Sequence, residues 1–425
     1  MELNDLDIAL RRLSSKQELY TRYFNYFEGN QPIVYSTHKM REIFKNLNVD
    51  FNENWCSVVI NSVKDKINLR NIFVDGQDIS DLINRNQIYL EADAVHEAAL
   101  ITGESFYIVW PDSDNLSAGY YNDPRNCHIF YDAENPRKKI FAAKWWTEPN
   151  ELIRVTLYYP DRLEYYISSR KNLLTSSLTS KAFEEYLPIA INPLGEVPVF
   201  QFKTSQRKII SDLVNVVAPQ DAINKLISDL MVTAEFGAFK QKYIITMSEF
   251  ENGRLRSSPD EIWQIPDPEA KVGEFSVTEL NNFIESINHF IYSIGVVTSI
   301  PKHYFLQSGG SPSGESLLAA ESPLNARAKD RIDSFRPVWE EVISLMAQID
   351  GVNISSTDVK VVYDEPRTIQ PLLEMEVRQA KITSGESLSS VLRDEGKSDE
   401  EIANIISTPI TITEPVKAKF KFVSP

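Results

Sequence analysis

Apolar residues recur every three or four positions in several segments of the chain, and this spacing predicts amphipathic helices. The segments that show it are 1–30, 54–68, 80–101, 209–239, 275–300 and 315–349. Gly29 and Asn30 close the first segment, because both residue types favour the left-handed conformation that ends a helix. Pro323 and Pro337 lie inside the last segment, where we expect them to interrupt or bend the helix.

Between 105 and 202 the pattern changes to short runs rich in aromatic and β-branched residues. Runs such as CHIFYD, KIFAAKWW, LIRVTLYYP and RLEYYI are separated by Asn, Asp, Pro and Gly, which predicts antiparallel strands joined by turns. Further short strands are predicted at 72–74 and 359–363. The stretch 187–198 carries three prolines and one glycine, so we expect a boundary there. The predicted class is therefore α+β.

The two long helices 209–239 and 275–300 flank a short β-containing excursion that is rich in glycine and proline. A helix of about thirty residues extends roughly 45 Å, so this arrangement predicts a stalk with a compact knob at its tip. A flexible Gly/Ser loop is expected at 307–314, after Pro301. Residues 370–406 predict a small helical unit with turns at Gly385 and Gly396-Lys397, followed by an extended tail.

Length and composition are typical of a soluble protein. The 425 residues suffice for two or three packing units, with 42% hydrophobic and 24% charged residues. No run approaches the eighteen or so apolar residues of a membrane span, and the N-terminus lacks the order of a secretory signal. Cys56 and Cys127 form neither a disulfide framework nor a metal-ligand spacing, so reduced thiols in the cytoplasm are expected.

The formal net charge is −16 at pH 7. A protein that grips nucleic acid carries a basic surface, because phosphate neutralisation supplies most of the affinity. This chain lacks that overall bias. Two interpretations stay open: the acidity aids solubility, or an acidic surface surrounds DNA and lets it slide without holding it.

The sequence offers no pattern that supports catalysis, a cofactor or a metal. The five histidines are scattered, and His96 stands in H-E-A-A rather than H-E-x-x-H, which favours a core or solvated histidine. The glycines of 309–314 follow a helix and lack the lysine of a phosphate loop. Asp229 and Glu235 are six positions apart, so they do not lie on the same face of a helix and do not form a carboxylate pair.

The charged residues of the predicted stalk are almost all acidic. Segment 209–239 carries four acidic residues against the single Lys225, and 272–301 carries three with no lysine or arginine. The acidic residues are Asp212, Asp221, Asp229, Glu235, Glu274, Glu279 and Glu285. They fit an ordinary helical hairpin with acidic solvent faces. They also fit the wall of a channel in a ring of subunits, where like charge keeps a phosphate backbone from sticking.

Several local motifs occur in a familiar order across about residues 20–400. They are YFNYFEGN at 23–30, NWCSVVI at 54–60, GESF at 103–106, NDP at 122–124, QDAINK at 220–225, SIPKH at 299–303 and PSGESL at 312–317. In this order and spacing the chain resembles the portal family of long-tailed double-stranded DNA phages. The family often has alanine where Ser316 stands, which is a minor departure.

The resemblance implies a portal fold that assembles into a ring, usually of twelve subunits. It has an α/β wing, a stem of long helices, a small β-containing clip and a helical crown. Carried onto this chain, the regions are wing 1–208, stem 209–239, clip 240–273, stem 274–301, tunnel loop 302–314, kinked wing helix and strand 315–365, crown 366–408 and tail 409–425.

The resemblance also implies function and partners. The ring occupies one capsid vertex, passes DNA during packaging and ejection without sequence specificity, and nucleates procapsid assembly. Implied partners are the terminase large subunit, the head-completion or adaptor protein, and the major capsid and scaffolding proteins, without a membrane. The packaging ATPase lies in terminase, which agrees with the missing phosphate loop. The expected location is the virion, and the host cytoplasm during assembly.

Two groups of candidate site residues follow from the resemblance. A docking surface is expected at the clip tip, formed by Arg254, Arg256, Asp260, Glu261 and Trp263. Contacts near DNA are expected from Lys302, His303, Gln307, Ser308, Gly309, Gly310, Ser311 and Ser313. Trp263 as a clip core residue, and Lys302 paired with a neighbour's carboxylate, are alternatives that stay open.

Two other function classes stay open at this stage. One is a phage-encoded hydrolase with an unrecognised site, which turnover abolished by a single side-chain change would favour. The other is a different virion component, such as a head–tail adaptor or minor capsid protein. Adaptors are usually much shorter than this chain and lack the long stem pair.

Overall fold

A computed structural model of the chain describes residues 4–32, 52–74, 77–171, 173, 178–238, 242–245, 269–274, 279–305, 314–367, 371–394 and 399–407. The chain divides into two compact units, 1–367 and 368–425. The helices are α1 Asp5–Glu28, α2 Trp55–Lys64, α3 Ser80–Arg85, α4 Ile88–Thr102, α5 Val217–Ala238, α6 Asn281–Thr298, α7 Gly314–Ile349, α8 Pro371–Thr383, α9 Leu388–Asp394 and α10 Asp399–Ser407.

In the part of the chain that the structure describes, four antiparallel sheets accompany these helices. The strands are β1 Leu69–Val74, β2 Glu104–Pro111, β3 Ser117–Asn122, β4 Cys127–Tyr131, β5 Lys139–Thr147, β6 Ile153–Tyr158, β7 Arg162–Ser168, β8 Phe183–Ile191, β9 Val199–Lys203, β10 Lys242–Ile245, β11 Lys271–Glu274 and β12 Val359–Tyr363. Their orders are β4-β5-β6-β7-β8, β3-β2-β9, β1-β12 and β10-β11. This mixture confirms the predicted combination of helices and sheets.

Polar residues at the helix ends explain where several helices begin and end. The Asn4 side chain accepts from the Asp7 amide at 2.8 Å, which satisfies one free N–H at the start of α1. That helix ends at Gly29 with φ 78°. Gly103 separates α4 from β2 with φ 93°, and a Cβ at this position would lie 2.7 Å from backbone atoms of Ile210.

Alternating side chains of the two larger sheets form one core, and α1 covers the five-stranded sheet to form another. Buried residues that join β2 and β9 to the five-stranded sheet are Phe106, Ile108, Ile129, Ala142, Leu163 and Val199. In the second core, Leu6, Leu10 and Leu13 of α1 pack with Phe141, Val155 and Leu157 of the five-stranded sheet. The five-stranded sheet therefore packs on both of its faces, one in each core.

A third and largest core joins α2, α4, α7 and the β1–β12 pair. Its centre is aromatic: His96 of α4 stacks on Phe335 of α7 with ring centroids 4.9 Å apart. The Trp339 indole donates to His96 Nε2 at 3.0 Å. His96 is therefore a core histidine, and burial lowers its pKa to about 3. These contacts fix the middle of the long helix α7.

The element boundaries correct several sequence expectations. Residues 212–216 form turns, so the first stalk helix begins at Val217 rather than at 209. Helix α7 runs without interruption through Pro323 and Pro337. The expected boundary at 187–198 is partly wrong, because β8 extends to Ile191. Strand β12 matches its predicted bounds, and the predicted strands between 105 and 168 are present.

The second unit is helical in its described residues. Val391, Leu392 and Ile402 are buried within it. Gly385, with φ 104°, lies between α8 and α9 at the turn predicted from the sequence. The second predicted turn, at Gly396-Lys397, lies outside the described residues.

Candidate functional site

Helices α5 and α6, which cover most of the two predicted stalk segments, pack against each other. Between them, β10 pairs with β11 in antiparallel register, with Lys242 opposite Glu274 and Ile245 opposite Lys271. A β-containing excursion between two helices is thus present. The clip-tip candidates Arg254, Arg256, Asp260, Glu261 and Trp263 lie outside the described residues.

Helix α6 has one buried and one exposed face. Ile287, Ile291 and Ile294 are buried, and they follow one another at helical spacing. The opposite face exposes the acidic residue Glu285 and, nearer the end of the helix, Tyr292, which is 56% exposed. The described stretch 279–300 contains Glu279 and Glu285, both exposed, and no lysine or arginine.

Two acidic residues predicted to line a channel are instead buried. Asp212 lies in the turns before α5, and its side chain is only 3% exposed. Asp221 of α5 is also buried and accepts a 2.5 Å hydrogen bond from the Tyr26 hydroxyl. Burial raises the pKa of Asp221, although the hydrogen bond from Tyr26 opposes this. Both residues serve internal contacts, so the channel-lining prediction is wrong for them.

The remaining acidic candidates differ in what surrounds them. Asp229 pairs with Lys225 one helical turn earlier at 2.5 Å, which offsets its charge at the surface. Glu235 and Glu274 belong to α5 and β11, but their side chains lie outside the described set. Glu285 of α6 and Glu279, just before this helix, are exposed, and their positions are compatible with the predicted acidic face.

The segment after α6 forms a short turn against the start of α7. Lys302 and His303 lie in this turn and are exposed. His303 Nε2 lies 3.4 Å from a carboxylate oxygen of Glu321, and Lys66 Nζ lies 3.0 Å from the other. The loop candidates Gln307, Ser308, Gly309, Gly310, Ser311 and Ser313 lie outside the described residues.

A cavity of about 440 Å³ lies beside this turn. Its wall is mainly apolar and includes Tyr292, Val296, Phe305 and Pro323, with Lys302 as its charged member. A wall of this kind offers no acid–base pair. Among the described residues, no cluster of His, Cys, Asp or Glu could hold a metal ion, and no helix is long and apolar enough to cross a membrane.

Sequence reasoning missed the basic partners of Asp212. Arg327 and Arg331 of α7 contact its carboxylate at 3.0 and 2.7 Å. The two arginines are one helical turn apart, so they share a face of α7. That spacing is visible in the sequence, but the acidic partner 119 positions before Arg331 is not.

The family model described as phage portal protein, SPP1 Gp6-like, matches residues 14–407. The chain belongs to this family. The portal protein of Mycobacterium phage L5 is 23% identical over 290 residues, which are 62% of this chain and 57% of that protein. The portal protein of Mycobacterium phage D29 is 24% identical over 289 residues, 61% and 56% of the two chains. The match thus spans little more than half of each relative.

Among solved structures, the chain is similar to one in "Neck of native GTA particle computed with C12 symmetry". The TM-score is 0.46 with 11% sequence identity, over 92% of this chain and 99% of that one. The family match confirms the resemblance drawn from the ordered motifs. Portal proteins are structural components of the virion, which agrees with the lack of catalytic patterns in the sequence.

Proposed function

We propose that the chain is a portal subunit that forms a ring at one capsid vertex, through which DNA enters and leaves. The observation that carries this proposal is the family match over 14–407, which includes the paired helices α5 and α6. The chain acts without catalysis and without a cofactor. It works in the virion after assembly in the host cytoplasm.

The portal regions are assigned to the elements as follows. The wing takes the two larger sheets with α1 to α4, together with α7 and β12. The stem takes α5 and α6, and the clip takes the excursion that starts and ends with β10 and β11. The tunnel loop is 302–314, and α8 to α10 belong to the crown. The helix pair and its β ribbon support this assignment.

In the ring, α6 faces the DNA. Glu279 and Glu285 repel phosphates over a distance of about 10 Å at 0.1 M salt. The other exposed side chains of α6 are largely neutral, so the surface offers few strong attachments. DNA passes such a wall without binding at fixed positions. The polymer meets Lys302 and the 307–313 segment at the narrowest point.

The ring also serves as a platform for other assembly proteins. The clip tip docks the terminase large subunit during packaging and the head-completion protein afterwards. ATP hydrolysis takes place in the terminase motor. The wing contacts the major capsid and scaffolding proteins, and the passing double-stranded DNA is handled without sequence specificity.

Particle mass and shape test the ring directly. We expect purified protein to form a closed particle near twelve times 48.5 kDa, with an axial channel in electron-microscopic class averages. Compact single molecules, or a channel too narrow for duplex DNA, would contradict the proposal. A turnover activity lost through one side-chain change would favour the hydrolase alternative instead.

Charge changes at Glu285 of α6 and at Glu279, just before this helix, test the channel wall. We expect Glu279→Lys with Glu285→Lys to slow packaging and to make rings retain DNA at low salt. The affinity for DNA falls as salt rises, and each new phosphate contact makes the slope of log affinity against log salt more negative by about 0.9. The control variant carries Glu184→Lys and Glu185→Lys on the exposed strand β8, with the same change in net charge. Equal retention by both variants would remove α6 from the channel wall.

The loop is tested by bulk rather than charge. Changing Gly309 and Gly310 to leucine is expected to impair packaging or DNA retention while rings still assemble, because side chains then narrow the passage. Changing both to alanine is the milder control. Normal packaging by the leucine variant would exclude the loop from the mechanism.

A further inference from the structure

Helix α6 ends at Thr298, and α7 begins at Gly314. The 302–314 segment is therefore attached to the rest of the chain through these two helices. A cluster formed by the buried Asp212 and the partly buried Arg327 and Arg331 connects both helices to the wing. We call these three residues the Asp212 clamp.

Asp212 is held firmly by the segment around it. Its own amide donates to the Leu100 carbonyl at 3.0 Å, and the neighbouring Ser211 hydroxyl donates to the Ile101 carbonyl at 2.5 Å. Both acceptors belong to the buried last turns of α4. The carboxylate is thus attached to the largest core of the protein.

The two arginines extend the connection to three elements. Arg331 donates to Asp212 Oδ1 at 2.7 Å and to the Thr204 carbonyl, just after β9, at 2.6 Å. Arg327 contacts the same carboxylate and donates to the carbonyl of Thr298. Thr298 is the last residue of α6, where helix carbonyls lack partners within the helix and carry partial negative charge.

The clamp depends on its carboxylate. Arg327 and Arg331 are less than one-fifth exposed, and they lie one turn apart on α7. Without Asp212 their like charges would face each other in a poorly solvated site, so at least one guanidinium would turn outwards. The contact between Arg327 and the end of α6 would then lose the carboxylate that orients it.

A second connection lies on the other side of the turn. Glu321, earlier on α7, contacts Lys66 of the wing and His303 of the turn. This connection holds the turn itself, whereas the Asp212 clamp connects the end of α6 to α7. The contact between α6 and α7 therefore determines the distance between the two ends of the 302–314 segment.

We propose that Asp212, Arg327 and Arg331 are positioning residues for DNA passage, because they fix the end of α6 against α7 and the wing. This inference rests on the proposed portal function. Loosening the clamp lets the attachment points of the loop drift and lowers the amount of DNA packaged or retained. Ring assembly continues, since the clamp lies within one subunit.

Variants of graded severity test the clamp. Arg327→Lys keeps the charge but cannot reach Asp212 and Thr298 with a rigid fork, and Asp212→Asn removes the counter-charge. Asp212→Glu retains the carboxylate and is the conservative rescue. The matched control is Arg336→Lys, because Arg336 lies on the same helix in an exposed pair with Asp333 at 3.6 Å.

The first readout is hydrogen exchange of assembled protein, which needs no DNA. We expect amides in 296–305 to exchange about tenfold faster or more in Arg327→Lys and Asp212→Asn, as fits the loss of a charge-assisted hydrogen bond. Exchange in β2 and β9 should stay unchanged, as should all exchange in Arg336→Lys. Unchanged exchange in 296–305 would overturn the clamp.

The second readout is DNA per particle after packaging, at a temperature where every variant remains folded. Reduced DNA in Arg327→Lys and Asp212→Asn, with intact rings and recovery in Asp212→Glu, supports the proposal. Faster exchange with normal packaging and retention overturns the role in DNA passage. If the unaltered protein forms no ring, the portal function itself fails, and hydrogen exchange still decides whether the clamp exists.

Discussion

The buried ion pair between Lys16 of α1 and Glu104 of β2 allows a quantitative test of how the N-terminal helix is held. Lys16 Nζ lies 2.5 Å from Glu104, and the two side chains are 3% and 0% exposed. Glu104 also accepts hydrogen bonds from Tyr20, at 2.8 Å, and from Gln201. Glu104→Gln keeps the shape of the site but leaves the lysine without its counter-charge.

Removing one partner of a buried pair costs about 3–5 kcal/mol, because the remaining charge is neither hydrated nor compensated. That is a large part of the 5–15 kcal/mol typical of a folded domain. Adding Lys16→Met to Glu104→Gln removes both charges, and an apolar replacement of a buried pair is often neutral. We therefore expect the double variant to lie within about 2 kcal/mol of the unaltered protein.

The single variant should also respond to pH. Burial lowers the pKa of Lys16, and Glu104 opposes this effect, so Glu104→Gln lowers that pKa further. The unfolded chain then binds more protons than the folded one between the lowered value and about 10.4, the ordinary lysine pKa. Stability of Glu104→Gln consequently rises with pH through that window. The double variant lacks the titrating group and should not show this rise.

Urea unfolding followed by circular dichroism measures these free energies, provided the m-value stays constant. Asp161→Asn is the control, since the Asp161–Arg162 pair is exposed and should change stability by less than about 1 kcal/mol. A loss below 1 kcal/mol for Glu104→Gln, or a double variant as unstable as the single one, would refute the reasoning.

Three further predictions concern the core and its turns. Burial lowers the pKa of His96 to about 3 in the folded protein, whereas its pKa in the unfolded chain is about 6.5. The free energy of unfolding should therefore fall by about 2 kcal/mol as the pH is lowered from above 6.5 to 5. His96→Gln should reduce this pH dependence in unfolding titrations. Gly103→Ala should lower the melting temperature far more than Gly195→Ala, because both have positive φ but only Gly103 abuts backbone; equal losses would contradict this. Tyr26→Phe should cost about 1–3 kcal/mol in urea unfolding by leaving Asp221 without its hydrogen-bond donor, and a neutral result would count against that bond.

The elements that could be predicted from sequence are those whose pattern is local. Strands β4 to β7 are rich in aromatic and β-branched residues and are separated by turn residues, and the helices carry apolar residues at helical spacing. Strand β3, with the sequence SAGYYN, has a weaker local signal and forms because β2 supplies its hydrogen-bond partners. Strand β8 contains Pro188, which is tolerated because β8 is the edge of its sheet.

The direction of a charged side chain could not be predicted in the same way. Asp212 and Asp221 look like Glu279 and Glu285 in sequence, since each stands in a stalk segment with few basic neighbours. Tyr26, the donor to Asp221, comes 195 positions earlier, so the contact is a property of the fold. An acidic count along a helix therefore overstates the charge that reaches the surface.

This correction changes how a channel made of these helices would handle DNA. Affinity for DNA grows with the number of basic side chains that neutralise phosphates, and the described stretch 279–300 has none. Repulsion would come from Glu279, just before α6, and from Glu285 of α6, which are six positions apart and do not share one helix face. Two separate charges of this kind form only a weak barrier at 0.1 M salt, where repulsion falls off over about 10 Å. In the proposed channel, attraction would then come from the loop region that includes Lys302 rather than from the stretch 279–300.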